Sequence, residues 1–230
     1  REGTEVVEVQ SRSQGIGVLV RTGDREDRLD ASHVLVAAGR VPDIEALNLR
    51  SAGVRFRRDD PRQLELGAAG RSSNRRVFVI GGAADGGRGG HVAALEARAA
   101  VRTALFEVPF PADLALAPRI VFLDPEVAEV GPTEAEVRQR HGEHFRILRV
   151  PFADNPRARA TRQGHGLVKV MTGPRGRILG AGIVGDRAGE LIAPFSLAIA
   201  NRLTARHLAD FLPPRGTLSE AIQQAGAEYF

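Results

Sequence analysis

Residues 77–90 read Val77-Phe78-Val79-Ile80-Gly81-Gly82-Ala83-Ala84-Asp85-Gly86-Gly87-Arg88-Gly89-Gly90, an all-apolar run that opens into a glycine-rich loop. The apolar run predicts a buried strand and the segment from about His91 to Phe106 predicts a helix, so the order is strand, glycine loop, helix. Glycines let a backbone approach a ligand closely, and unpaired N–H groups at a helix start favour anionic atoms. The same spacing also suits a plain turn between strand and helix. Gly82 to Gly89 resembles a phosphate loop, but Arg88 stands at the lysine position and Gly89 at the hydroxyl position, and there is no Gly-x-Gly-x-x-Gly pattern.

On the N-terminal side, Val6, Val7 and Val9, then Ile16, Val18 and Val20, then Val34 to Val36 read as strands separated by Gly and Asp turns. The expectation is an antiparallel meander feeding a buried strand. On the C-terminal side, Pro109, Pro111 and Pro118 punctuate the chain, and a domain boundary is expected near residue 117. Beyond it the pattern predicts a strand at Ile120 to Phe122, a helix at Thr133 to Arg140, and strands at Phe145 to Phe152, Gly166 to Met171 and Ile178 to Val184. Helices are expected at Ala188 to Arg202 and Ser219 to Ala227, with a helical turn at Ala205 to Phe211. Thr133 to Glu136 fits a capping box.

The chain has 230 residues, 32 Lys+Arg against 28 Asp+Glu, no Cys, no Trp and one Met. Thiol chemistry and Cys-ligated metal are therefore excluded from these residues. Lys169 is the only lysine, so the basic balance is an arginine excess interleaved with acids, and with one Tyr for stacking no nucleic-acid partner is expected. Apolar runs such as Leu191 to Ala200 fall short of the roughly 18 to 20 residues of a membrane span, so no membrane partner is expected. The chain opens Arg-Glu-Gly-Thr without an apolar signal segment, which reads as an internal cut and a cytoplasmic protein. His141 and His144 stand three apart but lack a third ligand candidate, and no metal site is expected; His33, His165 and His207 read as exposed.

The segment Val34-Leu-Val-Ala-Ala-Gly-Arg-Val-Pro-Asp43, with Leu47-Asn-Leu49 and Ala52-Gly-Val54, resembles the FAD-dependent pyridine nucleotide-disulfide oxidoreductases, which include dihydrolipoamide dehydrogenase and mercuric reductase. Further matches follow in family order: Val77 to Gly81, His91-Val-Ala93, Asp124-Pro-Glu-Val-Ala128, Asn155-Pro-Arg-Ala158, Gly166 to Lys169, Ala188 to Ile192 and Thr217-Leu-Ser-Glu-Ala221. The resemblance implies an α/β remnant of a FAD/NAD-binding domain over residues 1–117. An α+β dimerisation domain with an antiparallel sheet would follow over 118–230. Within the first part, residues 1–33 would close the NAD-binding domain and 34–117 would return to the FAD domain.

It also implies a flavin-dependent NAD(P)H oxidoreductase that works as a homodimer, with FAD and NAD(P) bound by the full-length protein. Gly81, Gly82, Asp85, His91, Val92 and Ala93 would lie on the cofactor side and Arg215 and Glu220 on the catalytic side. No FAD is expected to bind tightly to this chain alone, because the family's N-terminal glycine motif is not in it. Two positions depart from the family. The Asp that usually follows Gly81 is Gly82, with Asp85 as a substitute only if the loop is rebuilt. The family's His-Pro-Thr, followed by Glu, is here Arg215-Gly216-Thr217 with Glu220. A guanidinium stays protonated and cannot cycle a proton, so Arg215 would stabilise a thiolate or bind an anion. Alternatively, Arg215 and Glu220 form a surface pair at a helix start, and the protein is a non-catalytic dimerisation module. The apolar set Leu191, Ile192, Phe195, Leu197 and Ile199 is expected to leave some members for a second copy.

Overall fold

The computed structural model describes residues 1–84, 89–108 and 116–230, and the chain forms two compact units, Arg1–Val41 and Pro42–Phe230. In the first unit, β1 (Thr4–Ser11), β2 (Ile16–Thr22) and β3 (Arg25–Ala31) form an antiparallel meander in that order. Thr22 faces Arg25 across the two-residue turn Gly23-Asp24, and a bulge lies between Val6 and Glu8 of β1. The β3 strand is rich in charge and was not legible as a strand. As an edge strand it needs no apolar face, and Arg21 on β2 pairs with Glu26 at 2.8 Å.

The strand expected at Val34 to Val36 does not form. These residues belong to no ladder and Leu35 is 91% exposed. An extended apolar run becomes a strand only by pairing, and none of the described residues pairs with it.

The second unit opens with a small apolar cluster of Ile44, Val54 and Leu64, against which Phe56, Val77 and Val79 pack. Val77 to Ile80 is not a full strand either; its bridge is a single one between Phe78 and Arg71. The helix that follows, α1 (Gly90–Phe106), lies where the sequence placed it.

The rest of this unit is a five-stranded antiparallel sheet of β4 (Arg119–Val121), β5 (Glu126–Val130), β6 (Arg146–Pro151), β7 (Leu167–Thr172) and β8 (Ile178–Gly185), in the order β4-β5-β8-β7-β6. Its alternating inward residues, including Val168, Val170, Ile178 and Ile183, build the main core with Phe152, Phe195 and Ile222. The helices are α2 (Glu134–His141), α3 (Pro156–Ala160), α4 (Ala188–Leu191), α5 (Ala193–Ala200), α6 (Ala205–Ala209) and α7 (Glu220–Ala227).

The capping box starts α2 as expected: the Thr133 N–H donates to Glu136 Oε2 at 2.7 Å and the Glu136 N–H to Thr133 Oγ1 at 3.4 Å. Residues Ala188 to Arg202 are two helices rather than one, because Pro194 stands in the first turn of α5 and cannot continue the hydrogen bonds of α4. Helices α6 and α7 pack closely at Gly226, where a Cβ would stand 2.3 Å from the Ala209 nitrogen.

The apolar set proposed for a second copy is corrected in part. Leu191, Ile192, Phe195 and Ile199 fill the chain's own core and only Leu197 is exposed. No helix among the described residues is long and apolar enough to cross a membrane.

Candidate functional site

The chain turns sharply after Ile80, and the turn rests on α1. Gly81 has φ +60, and a Cβ there would stand 2.7 Å from the Ala93 Cβ, so only glycine allows this approach. The Ala84 N–H closes the turn on the Gly81 carbonyl at 3.0 Å. The Gly81 N–H donates to Glu96 Oε2 at 2.7 Å, and Glu96 is 5% exposed. Sequence reading missed Glu96. Its signal is an acid on the buried stripe of α1, where Val92, Glu96, Ala99 and Ala100 follow helical spacing.

The other loop candidates are placed less tightly. Gly82 is exposed, and among the described residues a Cβ there would meet nothing within 4 Å. Val92 is buried and Ala93 half-buried against Gly81, while His91 is exposed with its Nε2 2.8 Å from the Pro118 carbonyl. Asp85 lies outside the described residues. The structure therefore joins Gly81 with Ala93 through the turn and leaves Gly82 and His91 at its open edge.

The second set lies on the segment that enters α7. The Thr217 Oγ1 donates to the Pro214 carbonyl at 2.7 Å, and the Gly216 N–H donates to Glu220 Oε1 at 3.2 Å. Arg215 is exposed, and among the described residues it forms no ion pair with Glu220. The carboxylate holds the turn instead. Gly216 and Thr217 border a cleft of about 350 Å³ that Arg157, Asp186, Arg187 and Glu190 also line. A larger cavity of about 830 Å³ is lined by Leu66 to Ala69, Arg71 to Ser73, Thr103 of α1 and Glu107 just beyond it, and no residue proposed from the sequence lines it.

His33, His144, His165 and His207 are exposed and His141 is half-buried. His207 serves α6, its Nδ1 accepting from the Thr204 N–H at 3.2 Å. Among the described residues no group of three or more His, Cys, Asp or Glu is placed to hold a metal. A charge cluster joins α2 to the sheet, where Glu134 meets Lys169 of β7 at 3.3 Å and Arg138 and Arg149 at 3.6 Å. The Lys169 hydrogen bond, followed by the two guanidinium groups, holds the Glu134 carboxyl below the usual carboxylate range.

Comparison with known proteins places the chain. Residues 117–226 match the pyridine nucleotide-disulphide oxidoreductase dimerisation domain. The mercuric reductase of Acidithiobacillus ferrooxidans is 35% identical over 236 residues, covering 99% of this chain and 42% of that protein. The dihydrolipoyl dehydrogenase of Thermus scotoductus is 32% identical over 233 residues, covering 98% of this chain and 48% of that protein. The crystal structure of LpdA from Mycobacterium tuberculosis matches with a TM-score of 0.86 at 28% identity, over 99% of this chain and 48% of that one. The chain spans less than half the length of each of these relatives. With a dimerisation-domain match and relatives aligned along nearly all of its length, the chain belongs to the pyridine nucleotide-disulphide oxidoreductase family.

Proposed function

We propose that this chain supplies part of the FAD site and the homodimer interface of a flavin-dependent NAD(P)H oxidoreductase. The carrying observation is the Gly81 turn, held against the first turns of α1 by Glu96 and by its close approach to Ala93. Among the described residues nothing would stand within 4 Å of a Cβ at Gly82, and α1, a 17-residue helix, starts with the Val92 and Ala93 N–H groups bonded to the Gly89 carbonyl, which leaves those of Gly90 and His91 without a helical partner. The backbone side of this arrangement fits a flavin, with Gly81, Gly82, His91, Val92 and Ala93 lining it, whereas position 82 offers no carboxylate. When bound, the flavin would supply the electron relay between nicotinamide and substrate. The residues of this chain hold and orient it, and these contacts alone are too few for tight binding by residues 1–230.

In the same reading the domain boundary lies near residue 117, and the partner copy covers exposed apolar residues of the second domain. Phe122, 80% exposed, and Leu212, 85% exposed, are the leading candidates. Arg215 would present a fixed positive charge to an anionic substrate or thiolate, and Glu220 would hold the turn that carries it.

Two observations favour a second reading, a non-catalytic dimerisation module: Gly82 offers no side chain and Arg215 cannot exchange a proton. The test is the visible absorbance of the purified whole protein, followed by bleaching on addition of NADH or NADPH. A stoichiometric flavin that the nicotinamide reduces supports the enzyme. A colourless protein that still dimerises supports the module.

A further inference from the structure

Asn155 is fully buried, and a side-chain amide is stable there only when its polar atoms are bonded. Its Oδ1 accepts from the Arg157 N–H at 2.9 Å and from the Ala158 N–H at 3.0 Å, which caps α3. Its Nδ2 donates to the Thr217 carbonyl at 3.2 Å. One planar amide thus fixes the distance between a helix start and a turn 62 residues further along the chain. The other hydrogen bonds of that turn are local, from Thr217 to Pro214, from Gly216 to Glu220 and from the Glu220 N–H to the Thr217 carbonyl at 3.4 Å. They give the turn its shape, while Asn155 gives it its place.

The residue type follows from these two duties. Asp and Ser also cap helices, but a carboxylate has no donor for the Thr217 carbonyl and a hydroxyl has a shorter reach. An amide carries an acceptor and a donor on one rigid plane. The two elements it joins border one cleft, with Arg157 on the α3 side and Gly216 and Thr217 on the turn side.

We propose that Asn155 is a positioning residue that sets the place of the Arg215-bearing turn and the width of the cleft between that turn and Arg157. Its weight in catalysis rests on the reading of Arg215 given above, whereas its hold on the turn does not.

The test is Asn155→Asp in the whole protein, which keeps the α3 cap and sets an acceptor against the Thr217 carbonyl; Asn155→Ser is the second variant should the first fail to fold. Hydrogen exchange of the Gly216 and Glu220 amides is expected to rise about tenfold, with the Arg159 and Thr161 amides of the α3 segment unchanged. Unchanged exchange at Gly216 and Glu220, or a rise spread equally over α3, overturns the proposal. In turnover assays the variant should lower kcat with the KM for nicotinamide nucleotide unchanged, and an unchanged kcat beside raised exchange overturns the catalytic part. The exchange measurement needs no turnover, so an inactive protein would count against the flavoenzyme reading and leave the proposal to be decided by exchange.

Discussion

The backbone N–H of Gly81 donates to the buried carboxylate of Glu96 at 2.7 Å, so the turn after Ile80 is fastened to the second turn of the helix that follows it. Glu96→Leu would leave that N–H unsatisfied beneath the turn, at a cost of about 1–3 kcal/mol. Glu96→Gln keeps an acceptor in the same place. Thermal unfolding of the two variants should rank them, with the Gln protein much closer to the native one. Equal losses would show that the hydrogen bond to Gly81 is not what Glu96 contributes.

At Gly82 a side chain can be added without a collision with any described residue. It has ordinary backbone geometry, and no described residue would lie within 4 Å of its Cβ. If the flavin lies above this turn, Gly82→Asp adds one charge-assisted hydrogen bond of roughly 1.5–3 kcal/mol, which is ten- to a hundredfold in affinity. Equilibrium dialysis of FAD against the whole protein and the variant measures the difference. An unchanged dissociation constant would place the flavin elsewhere.

Residues 118–230 were more legible in the sequence than residues 1–117. Strands β6, β7 and β8 carry alternating apolar residues over one core, and the Thr133 capping box marks a helix start by residue type alone. The segments that misled the reading share a cause. Val34 to Val36 and Val77 to Ile80 have strand composition, yet pairing is a property of two segments, and among the described residues the first has no paired neighbour and the second only the Phe78–Arg71 bridge. Conversely β3, with five charged residues among its seven, is a strand because β2 holds it. For the site, spacing pointed to the glycine loop, and the family resemblance to Arg215 and Glu220. It could not show that Glu96 and Asn155 tie those segments down, since both act through bonds to distant backbone.

Phe122 follows the edge strand β4, and with Val121 and Leu123 it exposes three consecutive apolar side chains. In a twofold interface each substitution acts twice, so two charged groups replacing two buried rings cost at least about 3–6 kcal/mol in dimer stability. Phe122→Glu should therefore shift the mass measured by light scattering from dimer to monomer at micromolar concentration. A dimer of undiminished affinity would remove this patch from the interface.

Glu134 supplies a pH prediction. Its carboxyl is held low in the folded chain, first by the Lys169 hydrogen bond, so as pH falls the unfolded chain takes up this proton before the folded one. The stabilisation is present at neutral pH and is lost as pH drops from the ordinary Glu value of about 4.3 through the lower folded value. Because the group is half-exposed, Glu134→Gln should cost no more than about 1 kcal/mol at pH 7. Denaturant titrations at several pH values should show the two proteins converging below pH ~4. A gap that stays constant to strong acid would mean that the ion pairs do not carry the effect.

Arg215 stands on a turn whose carboxylate, Glu220, accepts from Gly216 rather than pairing with the guanidinium. A guanidinium keeps its charge throughout the working range, so Arg215 can contribute no inflection to a pH–rate profile near neutrality. Arg215→His places a group that titrates near ~6.5 on the same turn, beside a carboxylate that would raise its pKa. In the whole protein that variant should gain an inflection in kcat within about one unit of that value. Adding Glu220→Gln should move the inflection down, because the neutral amide no longer favours the imidazolium. If the Arg215→His protein keeps the native profile at all pH values, then residue 215 does not reach the reacting groups, and its charge serves the surface of the turn rather than the chemistry.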